Sequence, residues 1–437
     1  MSLLLGPMCQ HIPGHKKLTD DKPCQELMPD KDVYIPLVTG NNTNYEVKVQ
    51  EGEHVDVGTL LAVPRSGFYV PIYSSVSGTY KGLVKRAHSS LRPQQHMEIE
   101  VDHQQTRVES FKPLNWREAS VEELREFIKN AGLVGLGGAG FPTYIKYADP
   151  KDIQTVIINA VECEPYITAD YLQVMTDTND LIEGALAMKR MSTASKVIIA
   201  IKKSHPDMIE KVQQAITVNG AQGVEVQAVP DVYPMGWERV LVREIMHKEY
   251  NVLPAEAGCI VNNAGTAIEF AKALREGKAL DYKYVTMSGA GLKDPVNVRV
   301  PIGMCVHEII EKIGGFDLDS VFLIAGGPMM GKTMVKDELV IDRAMNAITV
   351  LPYEEHEAQV CLRCGSCSDH CPAGLQPVRI AAAVKEGNIE EMEKRGAMSC
   401  IECGLCTYVC PSFIQVTENV RKAKRTLQLQ KQKQRKK

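Results

Sequence analysis

Cys361-Leu-Arg-Cys364-Gly-Ser-Cys367-Ser-Asp-His-Cys371-Pro372 is answered further on by Cys400-Ile-Glu-Cys403-Gly-Leu-Cys406-Thr-Tyr-Val-Cys410-Pro411. Three thiolates at i, i+3 and i+6 can wrap a loop around one four-iron cube. The fourth, set before a helix-breaking proline, points away and ligates the neighbouring cluster. The spacing therefore predicts two 4Fe-4S clusters with exchanged fourth ligands. Cys361, Cys364, Cys367 and Cys410 hold one, and Cys400, Cys403, Cys406 and Cys371 hold the other. Zinc also uses CxxC pairs, but its closed sites take four ligands as two separated pairs, which neither run provides. Eight of the 13 cysteines lie in these two runs, and such clustering points to metal ligation in a reducing compartment and not to a disulfide framework. Cys9, Cys24, Cys163, Cys259 and Cys305 have no such spacing and are expected to be buried or incidental thiols. Between the runs, Val378 to Met398 reads as helix, with Gly387-Asn388 as a break.

Upstream, Gly326-x-x-x-x-Gly331-Lys332-Thr333 matches the phosphate-loop pattern to the letter, after the apolar stretch Val321 to Ala325. Too little chain separates Thr333 from Cys361 for the helix and further parallel strands that such a fold needs. Leu339-Val-Ile341 and Ala347-Ile-Thr-Val350 read instead as short strands, so nucleotide hydrolysis is not expected. Gly135-Leu-Gly137-Gly138-Ala-Gly140 formally satisfies the dinucleotide fingerprint, which requires a strand before it. Here Ser120 with Glu123 forms a capping box ahead of Val121, Leu124, Phe127 and Ile128 at helical spacing, so the preceding element is a helix. A standard Rossmann reading fails. The loop still suits close approach of backbone N–H groups to a phosphate, with Pro142 and Lys146 just behind.

The 437 residues suggest about three domains at roughly 150 residues each. With 44% hydrophobic and 24% charged residues the chain is of ordinary globular composition. Its net charge of −4 hides two unlike parts. Arg421 to Lys437 contains nine basic and no acidic residues, which leaves 41 basic against 54 acidic elsewhere, or −13. No apolar run approaches the ~18 residues of a membrane-spanning helix, and Met1 to Leu5 lacks the form of a secretory signal, so the chain is expected to stay in the cytoplasm. No nucleic-acid partner is expected. Residues 32 to 101 are strand-like with turn glycines, and Val47 to Ala62 with Pro71 to Gly78 resemble the halves of a biotinyl/lipoyl-type barrel-sandwich. No lysine stands between Gln50 and Tyr80, so docking or scaffolding is expected and not a swinging-arm carrier. Residues 111–275 alternate helix and apolar strand, with Thr155 to Asn159 and Lys196 to Ile201 as buried strands and Asp180 to Met191 as a helix between them. Residues 281–345 read as a small α+β unit with one helix, Val306 to Ile313. Isolated His11 and His15 are expected at the surface.

Gly132-Leu-Val-Gly-Leu-Gly-Gly-Ala-Gly-Phe-Pro-Thr143 with Lys146 is similar to the flavin-binding loop of the NADH-oxidising flavoprotein subunit of complex I. Asn159-Ala-Val-Glu162-Cys-Glu164-Pro165 and Val261-Asn262-Asn263-Ala-Gly-Thr266 resemble two further motifs of that family, in the same order. Nearly the whole chain, the basic tail excepted, resembles the RnfC family of peripheral electron-input subunits. The resemblance implies a multidomain α/β and α+β fold. Its parts are an N-terminal segment (1–31), a barrel-sandwich domain (32–110), a complex I flavin-subunit-like α/β domain binding FMN and NADH (111–275), a β-grasp ligand-binding domain (276–345) and a ferredoxin-like two-cluster helical module (346–419), with a basic tail (420–437). The cobalamin reductase of propanediol-utilisation compartments shares the later regions, and residues 1–110 favour RnfC.

By that resemblance Gly135, Gly137, Gly138, Gly140 and Lys146 hold the FMN phosphate and ribityl chain. Asn159, Asn262, Asn263 and Thr266 bond the flavin from the other side, while Glu162 and Glu164 lie near flavin and nicotinamide. Glu238 occupies a nucleotide-side position at which Trp237 replaces the family's preceding acid. The implied cofactors are FMN and two 4Fe-4S clusters, with NAD(H) as substrate. The implied partners are the other subunits of a membrane Rnf-type complex and a ferredoxin-type electron carrier, at the cytoplasmic face of the plasma membrane. A nicotinamide moves two electrons at once and a 4Fe-4S cluster one, so a flavin must stand between them. No nucleophile or general base is needed, and no catalytic side chain is assigned. The competing readings are a cobalamin reductase-like protein and a ferredoxin-like electron wire without its own flavin.

Overall fold

The computed structural model describes residues 10–149 and 152–435. Cys9 lies outside them. The barrel-sandwich is built of two antiparallel sheets. One has the strand order Asp32–Pro36, Gln94–Val101, Gly78–Arg86, His54–Val55, and the other Tyr45–Val47, Leu60–Pro64, Ile72–Tyr73. Alternation along these strands turns Val33, Ile35, Leu61, Met97 and Ile99 into one shared core.

The expected α/β layer is a four-stranded parallel sheet ordered Val224–Val229, Lys196–Lys202, Thr155–Ala160, Cys259–Asn263. Runs such as Val156-Ile157-Ile158 are apolar without alternation because helices cover both faces, and all three are fully buried. On one face lie Val121–Asn130, Thr178–Ser192 and Ala264–Glu276. Gly184 lets the last two cross closely, since a Cβ there would stand 1.9 Å from the Ala267 carbonyl oxygen. Glu238–Met246 covers the other face through Val240, Leu241 and Ile245. From Thr155–Ala160 the chain steps outward through two strands and then returns to Cys259–Asn263 on the opposite side. The strand order therefore reverses beside the C-terminal ends of these two strands, the place where open α/β sheets bind ligands.

The third unit is a six-stranded sheet ordered Gln25–Glu26, Val296–Pro301, Tyr282–Ser288, Ala347–Pro352, Val321–Ala325, Lys332–Met334, covered by the helix Val306–Lys312. It differs from the expected boundaries at both ends. Ala347–Pro352 runs parallel to Tyr282–Ser288 inside the sheet, so the unit extends past residue 345. Gln25–Glu26 adds a parallel edge strand to Val296–Pro301, so the N-terminal segment is part of the sheet. Lys332–Met334 is an antiparallel edge strand folded back on Val321–Ala325. The phosphate-loop lookalike is thus a hairpin turn, as the length of chain behind it implies.

The last unit is helical. The expected Val378 to Met398 helix is two, Pro377–Lys385 and Ile389–Lys394. Gly387 turns out at φ 66° and the Asn388 side chain accepts the Glu391 N–H, which caps the second helix and fixes the break. The basic tail is not a separate piece beginning at 420. It belongs to the helix Val416–Arg435, whose Val420, Ala423 and Leu427 bury against Ile380, Ala383 and Met392.

Candidate functional site

The two cysteine loops repeat each other in backbone as well as in sequence. Arg363 and Glu402 both lie at φ 58°, followed by Gly365 at 86° and Gly404 at 83° and by one-turn helices, Ser366–Asp369 and Leu405–Tyr408. These left-handed turns carry main-chain N–H groups back onto sulfur: Arg363 N–H donates to Cys361 Sγ at 3.4 Å and Glu402 N–H to Cys400 Sγ at 3.3 Å. Hydrogen bonds of that kind set the potentials of iron–sulfur centres. Burial raises the Cys403 thiol well above its ordinary range, and the Cys406, Cys371 and Cys400 thiols push the same way. Burial likewise pushes Cys406 up to about 11 despite its bond to Thr417, with Cys400 and Cys371 adding. Cys367 in turn is raised by burial first, with Cys364 and Cys410 contributing. The Cys371 thiol is thus felt by Cys400, Cys403 and Cys406, and Cys410 by Cys367, while Cys367 is felt by Cys406 as well. Among the described residues no three His, Cys, Asp or Glu side chains close around a single metal ion; in a cubane each thiolate takes its own iron corner.

The glycine loop and the two asparagine motifs meet at the reversal point of the parallel sheet. Asn159 and Asn263 are register partners at the strand ends. The Leu136 N–H donates to Thr266 Oγ1 at 3.1 Å, and the Asn263 side chain caps the following helix by accepting Thr266 N–H. Gly137 has no room for a Cβ, which would stand 2.6 Å from Asn263 Nδ2, whereas Gly138, at φ 108°, faces open space. Lys146 Nζ donates to the Val261 carbonyl at 2.6 Å and lies 3.6 Å from Glu238 Oε2. Glu238 also accepts from the Tyr250 hydroxyl at 3.1 Å. Asn159 donates to the Gly236 carbonyl, and Asn262 to the Tyr147 hydroxyl at 2.6 Å. Asn262 Oδ1 is buried without a partner, an acceptor that a ligand's donor would satisfy. The open space at Gly138 and this orphaned amide fit a flavin. Gly135 and Gly140 close the loop by pairing, Gly135 N–H to the Phe141 carbonyl and Gly140 N–H to the Gly135 carbonyl.

Glu162 and Glu164 leave the same strand end for different partners. Glu162 accepts the Asp170 N–H at 3.1 Å, and Asp170 in turn accepts from Asn263 Nδ2 at 2.7 Å. Burial raises the Glu162 carboxyl to about 7 against the pull of Lys16. Glu164 accepts the N–H groups of Met329 at 2.7 Å and Met330 at 2.9 Å, in the six-stranded unit. Lys16 is a residue the sequence did not single out. Its ammonium donates to the carbonyls of Glu162 at 3.3 Å, Glu164 at 2.7 Å and Ile167, so the N-terminal segment clamps this acidic loop. Tyr233 is another: fully buried, it donates to the Cys403 carbonyl at 2.7 Å. His11 and His15 are exposed as expected, although His15 stacks on Tyr166 at 4.6 Å.

The family described as the Nuo51 FMN-binding domain matches residues 128–272, the RnfC barrel sandwich hybrid domain residues 9–104, the SLBB domain residues 284–333 and a 4Fe-4S dicluster domain residues 354–432. The C component of the proton-translocating ferredoxin:NAD+ oxidoreductase complex of Clostridium ljungdahlii is 33% identical over 84% of this chain and 81% of its own. The Na+-translocating counterpart of Acetobacterium woodii is also 33% identical, over 85% of each. The C component of the ion-translocating oxidoreductase complex of Rhodobacter capsulatus is 32% identical over 88% of this chain and 76% of its own. Among solved structures, a chain of an NAD+-reducing NiFe-hydrogenase shares the fold at a TM-score of 0.51 and 16% identity, over 69% of this chain and 63% of that one. With its four family regions in order and relatives matched over most of their length, the chain belongs to the RnfC family, the C components of ion-translocating oxidoreductase complexes.

Proposed function

We propose that this chain is the electron-transfer subunit of a membrane-associated ferredoxin:NAD+ oxidoreductase, passing electrons between NAD(H), FMN and two 4Fe-4S clusters. The observation that carries the reading is the seat of one cysteine loop on the α/β unit, through Tyr233 and Cys403, beside the strand ends that gather Asn159, Asn262 and Asn263. A bound flavin supplies the junction between two-electron hydride chemistry and one-electron cluster chemistry.

Gly135, Gly137, Gly138 and Gly140 admit the phosphate and ribityl chain, with Lys146 as the cation and Thr266 at a helix N-terminus. Asn159, Asn262 and Asn263 orient the ring by hydrogen bonds. Glu162 and Glu238 line the nucleotide side. The eight cysteines hold the clusters in the exchanged sets. The Cys400 loop's contact with Tyr233 supports its cluster as the one next to the flavin, with the exposed Cys361 loop outward toward a ferredoxin-type carrier or a partner subunit. No helix among the described residues is long and apolar enough to cross a membrane. In this reading the other subunits hold the chain at the cytoplasmic face of the membrane.

Anaerobic reconstitution with FMN, iron and sulfide tests the reading. About eight irons and one FMN per chain are expected, with NADH bleaching the flavin band before the iron–sulfur absorbance. Clusters without FMN would leave a ferredoxin-like wire, and turnover of a corrinoid would point to a cobalamin reductase. Lys146→Ala should lower FMN content and leave the iron intact.

A further inference from the structure

Glu164, Met329, Cys403 and Tyr233 form a closed ring across three units of the fold. Glu164 is half-buried and its Oε1 receives two main-chain N–H groups, from Met329 and Met330. The fit is made for it: a Cβ on Gly327 would stand 2.1 Å from Glu164 Cγ. Met329 abuts the cluster module, because a Cβ on Gly404 would stand 2.5 Å from its carbonyl oxygen. Cys403, one residue earlier, accepts the Tyr233 hydroxyl hydrogen bond at 2.7 Å, and that hydroxyl also meets the Glu164 carboxyl. Ile12, Leu405, Cys163 and Ile401 wrap the ring in apolar contacts. A second tie, Arg243 to the Pro372 carbonyl at 3.4 Å, fixes the other side of the same module. Glu164 Oε1 is thereby tied to the joint between the units.

We propose that Glu164 and Tyr233 are positioning residues that seat the Cys400–Cys406 loop on the α/β unit and thereby fix the separation between the flavin and the cluster of that loop. The proposal rests on the flavin and cluster reading above. The electron step makes and breaks no bond in the chain. A bound FMN would take the hydride from NADH, which leaves as NAD+, and would then release the proton to solvent and two electrons, one at a time, to the clusters, each lowering a cluster's charge by one unit. Electron transfer weakens steeply with distance, so a loosened seat slows this step and leaves hydride transfer alone.

The test uses the full-length chain carrying FMN and both clusters, with Tyr233→Phe, Glu164→Ala and Glu164→Gln, the last keeping an oxygen to accept the two N–H groups. After rapid mixing with NADH, flavin bleaching should stay near the parent rate in Tyr233→Phe. Cluster reduction should slow by about tenfold or more in Tyr233→Phe and Glu164→Ala, the scale of a misplaced reacting group, and recover in Glu164→Gln. A dithionite titration followed by electron paramagnetic resonance reads the joint without nicotinamide. In Tyr233→Phe the Cys400-loop signal should change in line shape or midpoint potential while the Cys361-loop signal does not. If NADH fails to bleach the flavin even in the parent, the functional reading falls and the titration alone judges the joint. Unchanged cluster reduction and an unchanged signal in Tyr233→Phe would overturn the proposal. So would loss of FMN from Glu164→Gln with both cluster signals intact, since Glu164 would then belong to the flavin site.

Discussion

The two cysteine loops have one backbone and two environments. In the first, Cys361 and Cys364 are exposed, and Val360 and Leu362 beside them are 87% and 70% exposed. In the second, Cys403 and Leu405 are buried, at 7% and 0% exposed. The ligand spacing and left-handed turns that wrap a cube are common to both. The residues between the ligands differ, and they decide which loop sinks into the protein. Ser366 stands where the other loop has Leu405, and Arg363 where it has Glu402, which is held by Arg421 and Lys424. A repeat thus carries the chemistry, and its variable positions assign one copy inward and the other outward.

Removal of a fourth ligand should separate the two loops most strongly. Cys371 lies in the first run but neighbours the thiols of the second. Cys371→Ser should therefore halve the iron content and leave the resonance signal of the exposed loop's cluster, matching Cys403→Ser. Matching Cys364→Ser instead would mean that each run keeps its own four ligands. Solvent access should separate the clusters next. Under a chelator or limited oxidation, iron loss should be biphasic, with the Cys361-loop cluster going several-fold faster because no apolar shell keeps water from it. A single phase would show that the two environments are alike in solution.

A smaller contrast lies in the paired glycines. Both Gly365 and Gly404 are left-handed, so alanine at either costs about 1 kcal/mol in backbone strain. At Gly365 the new Cβ would meet nothing nearer than Asp369 Oδ2 at 3.9 Å, while at Gly404 it would press on the Met329 carbonyl at 2.5 Å. Gly404→Ala should then lose about 1 to 3 kcal/mol more than Gly365→Ala in chemical denaturation of the cluster-loaded chain. Equal losses would mean that the second loop is not seated on Met329.

Much of this was readable from residues alone because it depends on short-range rules. Ser120 and Glu123 form their capping box, the two cysteine runs share one backbone path, and Asn159 reaches Asn263 because both end apolar strands. What was not readable depends on distant parts of the chain. Gly14-His15-Lys16-Lys17 looks like a solvated surface turn, and Lys16 is drawn inward only because the loop after the first parallel strand offers three carbonyls. The bonds that Glu164 accepts from the Met329 and Met330 amides, at least 165 residues from it, leave no trace in its own motif. The tail did contain its signal, Val420, Ala423 and Leu427 at helical spacing, but nine cations obscured it.

That tail supplies the finest difference between the loops. Lys424 Nζ donates to the Cys400 carbonyl at 2.8 Å and also reaches Glu402, while Arg421 holds the same carboxylate at 3.2 Å. The first of the basic residues therefore brace the inner loop and are not free to meet a membrane. Because the Glu402 carboxylate is about a third exposed, water and salt screen the pair, and its worth is about 1 kcal/mol or less. Lys424→Met keeps the apolar stem over the helix and removes only the donor and the charge. It should lower unfolding stability by that small amount, more at low ionic strength than at high, and speed chelator attack on the inner cluster without changing the outer one. A loss confined to the outer cluster would place the brace on the wrong loop, and a salt-independent loss would assign the effect to packing of the stem instead of the ion pair.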